Sequence, residues 1–509
     1  MATIGHSAVA TMSEAQLQED LPSETTPLLN PSTTNENPES EAALYLSELR
    51  VIAKYSFPVF GTQLLEYSLV IAPVMTIGHL PSGTTALAGV TLGSMTATVS
   101  GFSILVGLVS ALDTVLPSAW TSAQPKLVGL WSQRMAVIMA VALIPMYIIW
   151  FNAEIILLGL KQDPEVARLA ALYLRWVSIG LPAYAFNLIS RRYFQSQGLF
   201  AVPTQIICII APVNAFLNYL LIWGPDPIRL GYIGAPIATA CSFILVSLLN
   251  VCYGVFYAPR TAWHPLSRRA LTGLGILVRL GLSGVGQTAA EWWAFELVAL
   301  AASLLGPVSL ATQSILLTSA STTYQAPFAL GIAASVRIGN LLGEFDSRRA
   351  QVAANTALMM ALAVGLVFCA TFMGLRTRWA YLFNDDPVVV QLVSAILPWV
   401  ALFQIFDGVN AVAGGILRAR GKQMTGAMLN LSAYYLIGIP LGVYLAFIIK
   451  WELHGLWIAL AGSLLYCAAF GTLLCVRTDW EEEVRKVVAR IDAERVKAGG
   501  GEDSADTAV

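Results

Sequence analysis

Charge is scarce in this chain of 509 residues: Asp, Glu, Lys and Arg make up only 12% of it, roughly half the share expected of a soluble domain. A soluble protein of this length divides into two or three domains, each with a charged shell. Here the charges sit at the ends and in short clusters, while 56% of the residues are hydrophobic, so the covering solvent must be lipid. The formal net charge of −2 offers no electrostatic case for nucleic acid as a partner. Histidine is rare too. Four are scattered singly and neither HExxH nor GxSxG occurs, which removes the residue sets of a zinc protease or a serine hydrolase. The six cysteines all stand in apolar runs without a CxxC or CxxH pair, so neither a zinc site nor a disulfide framework is expected. A GxxxxGK[ST] loop is absent as well. The nearest string, ending Gly421-Lys422-Gln423, has the wrong glycine spacing, so no ATPase site and no cofactor is expected. The first ~45 residues lack an apolar core of the signal-peptide kind, so the first membrane helix is expected to direct insertion.

What is present is a succession of apolar runs. A membrane helix needs about 20 such residues to cross ~30 Å of hydrocarbon at 1.5 Å per residue. Twelve can be placed, near 51–78, 87–116, 132–153, 166–189, 200–223, 232–257, 275–303, 309–336, 350–373, 389–417, 424–449 and 455–476. If both tails are cytoplasmic, the inner loops hold fourteen Lys/Arg and the outer loops six, an asymmetry that fixes orientation by the positive-inside rule. The longest inner loop, about 258–274, divides the helices six and six. The halves also resemble each other, since Gly107–Gly129 lies without gaps on Gly331–Ala353 at an offset of 224. Duplicated halves place a binding site at their interface. The fold class expected is therefore an all-α polytopic membrane protein of twelve transmembrane helices in two pseudo-symmetric lobes. Its parts are a disordered N-terminal tail over 1–48, an N-lobe over 49–258, a C-lobe over 259–477 and a C-terminal tail over 478–509. In that last tail Val484, Val487, Val488, Ile491 and Val496 fall roughly on one stripe, as in a surface amphipathic helix; a solvated tail is the competing reading.

Carboxylates within the spans are the sharpest functional clue, because each costs ~2.5–3.5 kcal/mol at a helix centre and survives mainly where it works. Glu66, Asp113, Glu291, Glu296 and Asp407 are the ones present, and Glu291 and Asp407 fall near mid-membrane. Low dielectric disfavours the charged form of a carboxylate, so one placed there can load a proton from one side and lose it on the other. Ionised, it attracts an organic cation; protonated, it releases it. The competing reading for either is a carboxylate that only bonds across helices. Glu296 is five residues on from Glu291, ~140° round the helix, so both cannot face one cavity squarely. Asp113 is expected to cap or pair at an inner gate. Trp292, Trp293, Tyr434 and Tyr435 could offer aromatic faces to a cation, and Asn410, Asn214 and Asn218 are further polar candidates.

Nine strings in order, among them GHLPSGTTALAGVTL (78–92), GLVSALDTVLPSAW (107–120), NAFLNYLL (214–221), EWWAFELVAL (291–300), LGPVSLATQSI (305–315) and FDGVNAVAGGILRARGKQ (406–423), resemble the multidrug and toxin extrusion (MATE) family in its eukaryotic branch. The resemblance runs from about 50 to 476. It implies two six-helix lobes rocking around a central cavity and proton-driven export of organic cations, drugs or secondary metabolites. It carries Glu291, Glu296 and Asp407 over as acidic positions of the C-lobe and Gln313, Tyr434 and Tyr435 as residues of motifs lining that lobe. Together with the residues read above, the expected proton-coupling set is Glu291, Asp407 and Glu296, the substrate-binding set Trp293, Gln313, Tyr434, Tyr435 and Asn410, and the polar set of the N-lobe Asp113, Asn214 and Asn218. Two departures stand out. Prokaryotic relatives carry an aspartate in the first helix where this chain has Pro73, which moves the expected coupling to the C-lobe. Many relatives also have Glu at the lobe mouths where this chain has Thr85 and Ser309, which narrows the expected preference for cations.

The expected activity is proton-coupled antiport by a monomer acting on small organic solutes in a lipid bilayer, with the proton gradient as energy source. A lipid-linked glycan flippase and a sodium-coupled antiporter are the alternatives. Glu24, Leu28 and Leu29 match an acidic dileucine sorting signal, which favours a vacuolar or lysosome-like membrane over the plasma membrane. A tagged copy carrying Leu28→Ala with Leu29→Ala is expected to move from the organelle to the cell surface. Unchanged localisation by microscopy would remove the adaptor reading.

Overall fold

The computed structural model describes residues 40–77 and 83–502, so the dileucine string lies outside the described residues. Every regular element among them is helical. Among the described residues ten stretches are long and apolar enough to cross a membrane: α2 (Thr85–Trp120), α3 (Leu127–Phe151), α4 (Pro164–Ser196), α5 (Ala201–Trp223), α6 (Gly231–Phe256), α8 (Pro307–Gly343), α9 (Ser347–Gly374), α10 (Pro387–Ala419), α11 (Gln423–Ile448) and α12 (Glu452–Val476). Two more long helices are α1 (Glu41–Ile77), which carries Glu66 within its apolar part, and α7 (Leu274–Ser303), which carries Glu291 and Glu296. With them the long helices are in keeping with a twelve-span protein. A further helix, α13 (Trp480–Glu502), follows the last span.

The helices gather into two large apolar cores. One is built from α2, α3 and α4 with contributions from α5 and α6, and the other from α7, α8, α10, α11 and α12. The seam between the halves is crossed in both directions. Near its start α7 packs on the first half, with Leu277 in that half's core and the backbone of Gly107 closing on Val285. Conversely, α1 lays Ile52 and Val59 against α8. At 37 residues α1 and α8 each run about 55 Å, well beyond the ~30 Å of hydrocarbon. Their excess reaches past the apolar layer at the end rich in arginine, called here the basic end. There Glu48, fully buried, accepts from Arg337 Nε and Nη2 at 2.7 Å each and from Arg349 at 2.9 Å. That network accounts for a helix that begins at Glu41 rather than near 51, because Glu48, the buried charge of its first turns, has partners.

Segments 107–129 and 331–353, which align in sequence, meet at the basic end. Thr121 Oγ1 donates to Asn340 O at 2.7 Å, and a Cβ placed on Gly339 would lie 2.7 Å from Pro117 Cβ. The glycine is required by this approach of backbone to side chain. Helix α11 contains two π-helical segments, Ser432–Gly438 and Tyr444–Ile448, of the kind frequent at functional sites. The long loop after α6 forms two short 3-10 turns, Arg260–Ala262 and Arg268–Leu271.

Because the gap at Gly339 is already filled, Gly339→Leu is expected to destabilise the fold by about 1–3 kcal/mol. Gly462→Leu, on α12 with nothing within 4 Å of the added carbon, should leave stability unchanged. Melting temperatures of the two variants in detergent provide the comparison; equal values would mean that α2 and α8 are not closely apposed.

Candidate functional site

A narrow cavity of about 40 Å³ lies between the halves. Its wall takes Val106 and Ser110 from α2, Arg192 from α4, Gln287, Thr288, Glu291 and Trp292 from α7, Tyr324 and Phe328 from α8, and Asn410, Ala411, Gly414 and Arg418 from α10, with Asn430 from α11. Helical spacing explains the set. Residues 287, 288, 291 and 292 form one face of α7, and 410, 411, 414 and 418 form one face of α10.

Glu291 is half-buried in this wall, and the Tyr324 hydroxyl lies against it. Asp407, three residues before Asn410, is 3% exposed, and among the described residues no donor reaches its Oδ1. It stands close enough to Glu291 for each charge to act on the other. Gln404, one turn earlier on α10, is wholly buried with neither amide atom partnered among the described residues. Burying such groups without partners costs free energy, so the core of the second half keeps polar atoms where packing alone would select apolar ones.

Asp113 pairs rather than caps. Its carboxylate takes Arg192 Nε at 2.7 Å, from its own half, and Arg418 Nε at 3.4 Å, from the other. The same joint is tied by Thr114, whose Oγ1 donates to Arg418 O at 2.5 Å and receives Gln423 Nε2 at 2.8 Å. This closes the cavity toward the basic end.

The remaining candidates separate. Glu296 is half-buried and outside the cavity wall, as its angular offset from Glu291 requires. Trp293, 39% exposed, points to the outside of the bundle, and its neighbour Trp292 takes the wall position; at about 100° per residue Trp292 still shares the inward face with Glu291, whereas Trp293, about 200° from Glu291, lies on the opposite side. Tyr434 is fully buried, packed near Phe295, and Tyr435 is half-buried. Gln313 accepts from Trp457 Nε1 at 2.8 Å within the second core. Asn214 and Asn218 lie away from the cavity, bonded to each other and to Ser242 between α5 and α6. Glu66 is ion-paired with Arg191 of α4. Tyr324, Phe328 and Gln287 escaped the sequence reading because nothing distinguishes them from ordinary helix residues until α8 and α7 are packed. Gln404 left a signal, an amide one turn from Asp407 in an apolar run.

A helical bundle of two related halves, with ionisable side chains at a cavity in their seam, is the architecture of a secondary transporter of the membrane. The chain belongs to the multidrug and toxin extrusion family: the MatE family profile matches residues 58–220 and 285–444. It is 38% identical over 445 residues to an uncharacterized transporter of Schizosaccharomyces pombe, spanning 87% of this chain and 82% of that one. It is 32% identical to multidrug and toxin extrusion protein 1 of Danio rerio, with 88% and 75% covered. The crystal structure of the eukaryotic MATE transporter AtDTX14 superposes with a TM-score of 0.83 at 29% identity, over 88% of this chain and all of that one. It is therefore an integral membrane transporter and not an enzyme.

Removing Asp113 would leave two guanidiniums facing each other without their shared counter-charge. Asp113→Ala is expected to destabilise by about 3–5 kcal/mol, read as a fall in melting temperature, with partial recovery when Arg192→Met is added. An unaltered melting temperature for Asp113→Ala would show that this joint braces nothing.

Proposed function

We propose that this protein exports organic cations, drugs or secondary metabolites in exchange for protons. The observation that carries the reading is Glu291, half-buried in the wall of a cavity shared by both halves, with Asp407 buried within reach of its charge. A carboxylate so placed holds a cation while ionised and lets it go when protonated, which makes proton and cargo alternative occupants of one anion. Trp292, Tyr324 and Phe328 beside it supply π faces for a planar or quaternary cation. The names of its relatives, multidrug and toxin extrusion protein and DETOXIFICATION, agree with such cargo.

At about 40 Å³ the cavity is far below the roughly 300–1,000 Å³ that receives a drug-sized molecule. Loading therefore requires the halves to part, and we read this state as closed at the basic end, which by its arginines faces the cytoplasm. The presence of Arg192 and Arg418 in the wall invites the alternative of an anionic, glycan-lipid cargo, but Asp113 sits between the two guanidiniums and offsets them. The cation reading is the better supported.

In sealed vesicles with an imposed pH gradient, the wild type is expected to accumulate ethidium and to lose the accumulation when the gradient is collapsed. Glu291→Gln and Asp407→Asn should each reduce gradient-driven accumulation at least tenfold while leaving the protein folded. Accumulation that ignores the proton gradient and survives both substitutions together would falsify antiport; dependence on sodium instead would redirect the coupling.

A further inference from the structure

Helix α13 follows the last span and lies across the basic end. It is held in two different ways. Toward the second half the contact is apolar: Trp480 and Val487 are buried, with Val484 and Ile491 packed beside them, in a cluster that includes Ile338, Leu341 and Leu342 of α8 and Ala350 of α9. Glu483, 3% exposed, adds contacts with Arg420 Nη2 at 3.3 Å and Lys422 Nζ at 3.4 Å, and the Arg420 guanidinium lies over the Trp480 ring. The apolar stripe stops there, since Val496 is 74% exposed.

Toward the first half the contacts are polar. Arg490 Nη1 donates to the carbonyl of Thr114 at 3.3 Å, and Glu494 pairs with Arg134 of α3 at 3.1 Å, both side chains almost wholly buried. Glu483 and Glu494 are eleven residues apart, three turns, so they share a face and stand about 16 Å apart along the axis. One face of α13 thus spans the seam, with an apolar seat on one half and hydrogen-bonded charges on the other. Thr114 is also the residue that ties α2 to Arg418 and Gln423.

We propose that α13 is a latch on the basic-end gate, pivoting on the second half and catching the first half through Arg490 and Glu494. The asymmetry of its contacts carries the inference. An apolar seat holds whatever the halves do, because breaking it exposes hydrocarbon to water. A buried ion pair adds little net stability while it is made, since desolvation offsets attraction, and its two charges are readily hydrated once water enters. Opening the cavity toward this end requires α2 to part from α8 and α10, which stretches the Thr114 and Arg134 contacts and leaves those to Arg420 and Lys422 intact. The latch therefore sets how often the cavity opens to that side. This reading concerns the gate alone and stands whether or not the exchange is coupled to protons.

The test uses the full chain in membrane vesicles, with the six native cysteines changed to alanine and Ser110→Cys in the cavity wall as reporter. A membrane-impermeant maleimide is supplied from the side bearing α13. Glu494→Gln with Arg490→Gln should raise the labelling rate several-fold, and the exchange Arg134→Glu with Glu494→Arg should return it toward the starting rate. Oxidising a paired Arg134→Cys and Glu494→Cys should depress labelling, and reductant should restore it. Equal labelling in the released, exchanged and cross-linked forms would overturn the latch. So would an exchange variant that labels as fast as the released one, because that outcome assigns the effect to loss of packing.

Discussion

Asp113 sits 2% exposed between a guanidinium of its own half and one of the other. In a low-dielectric interior none of the three charges can be left alone without heavy cost, so the basic end stays shut for as long as they face one another. The cavity's wall of Arg192 and Arg418 and the position of α10 follow from this arrangement. Arg418 stands eleven residues after Asp407 on the same face of α10, so the helix is a rod of about 16 Å with a buried carboxylate at one end and the gate at the other. A change of charge at Asp407 and a change of contact at Asp113 are thereby events on one rigid element, which is the physical requirement for coupling two sites.

Much of this architecture was legible because lipid imposes a simple rule: a helix that crosses it is apolar over about 20 residues, and each exception has a reason. The long helices appear as hydropathy, and the depth of Glu291 and Asp407 follows by counting along α7 and α10. The pairing of segments 107–129 and 331–353 was visible as a faint repeat and became the contact of Pro117 with Gly339.

What the sequence hides is lateral. Trp292 and Trp293 are equivalent until the rotation of α7 is known, and the Glu48 network joins residues 289 and 301 positions apart. Partners of that kind have no local signature. The start of α1 was misplaced for the same reason, because an isolated Glu48 reads as a solvated tail and a Glu48 held by two arginines reads as buried. The stripe on α13 was visible, but its role as a strap across the seam depends on Arg134 and Thr114, which lie far upstream.

The exchange of α1 and α7 across the seam bears on how the chain is made. Ribosomes add about 5–20 residues per second. Glu48 is thus synthesised roughly 15–60 s before Arg337, 289 residues later, can meet it. Through that interval the first half exists with a carboxylate awaiting its guanidinium, and until α7 (Leu274–Ser303) is made its seat is empty as well. Neither half has a finished surface on its own, and the membrane insertion machinery must shelter the first until the second arrives.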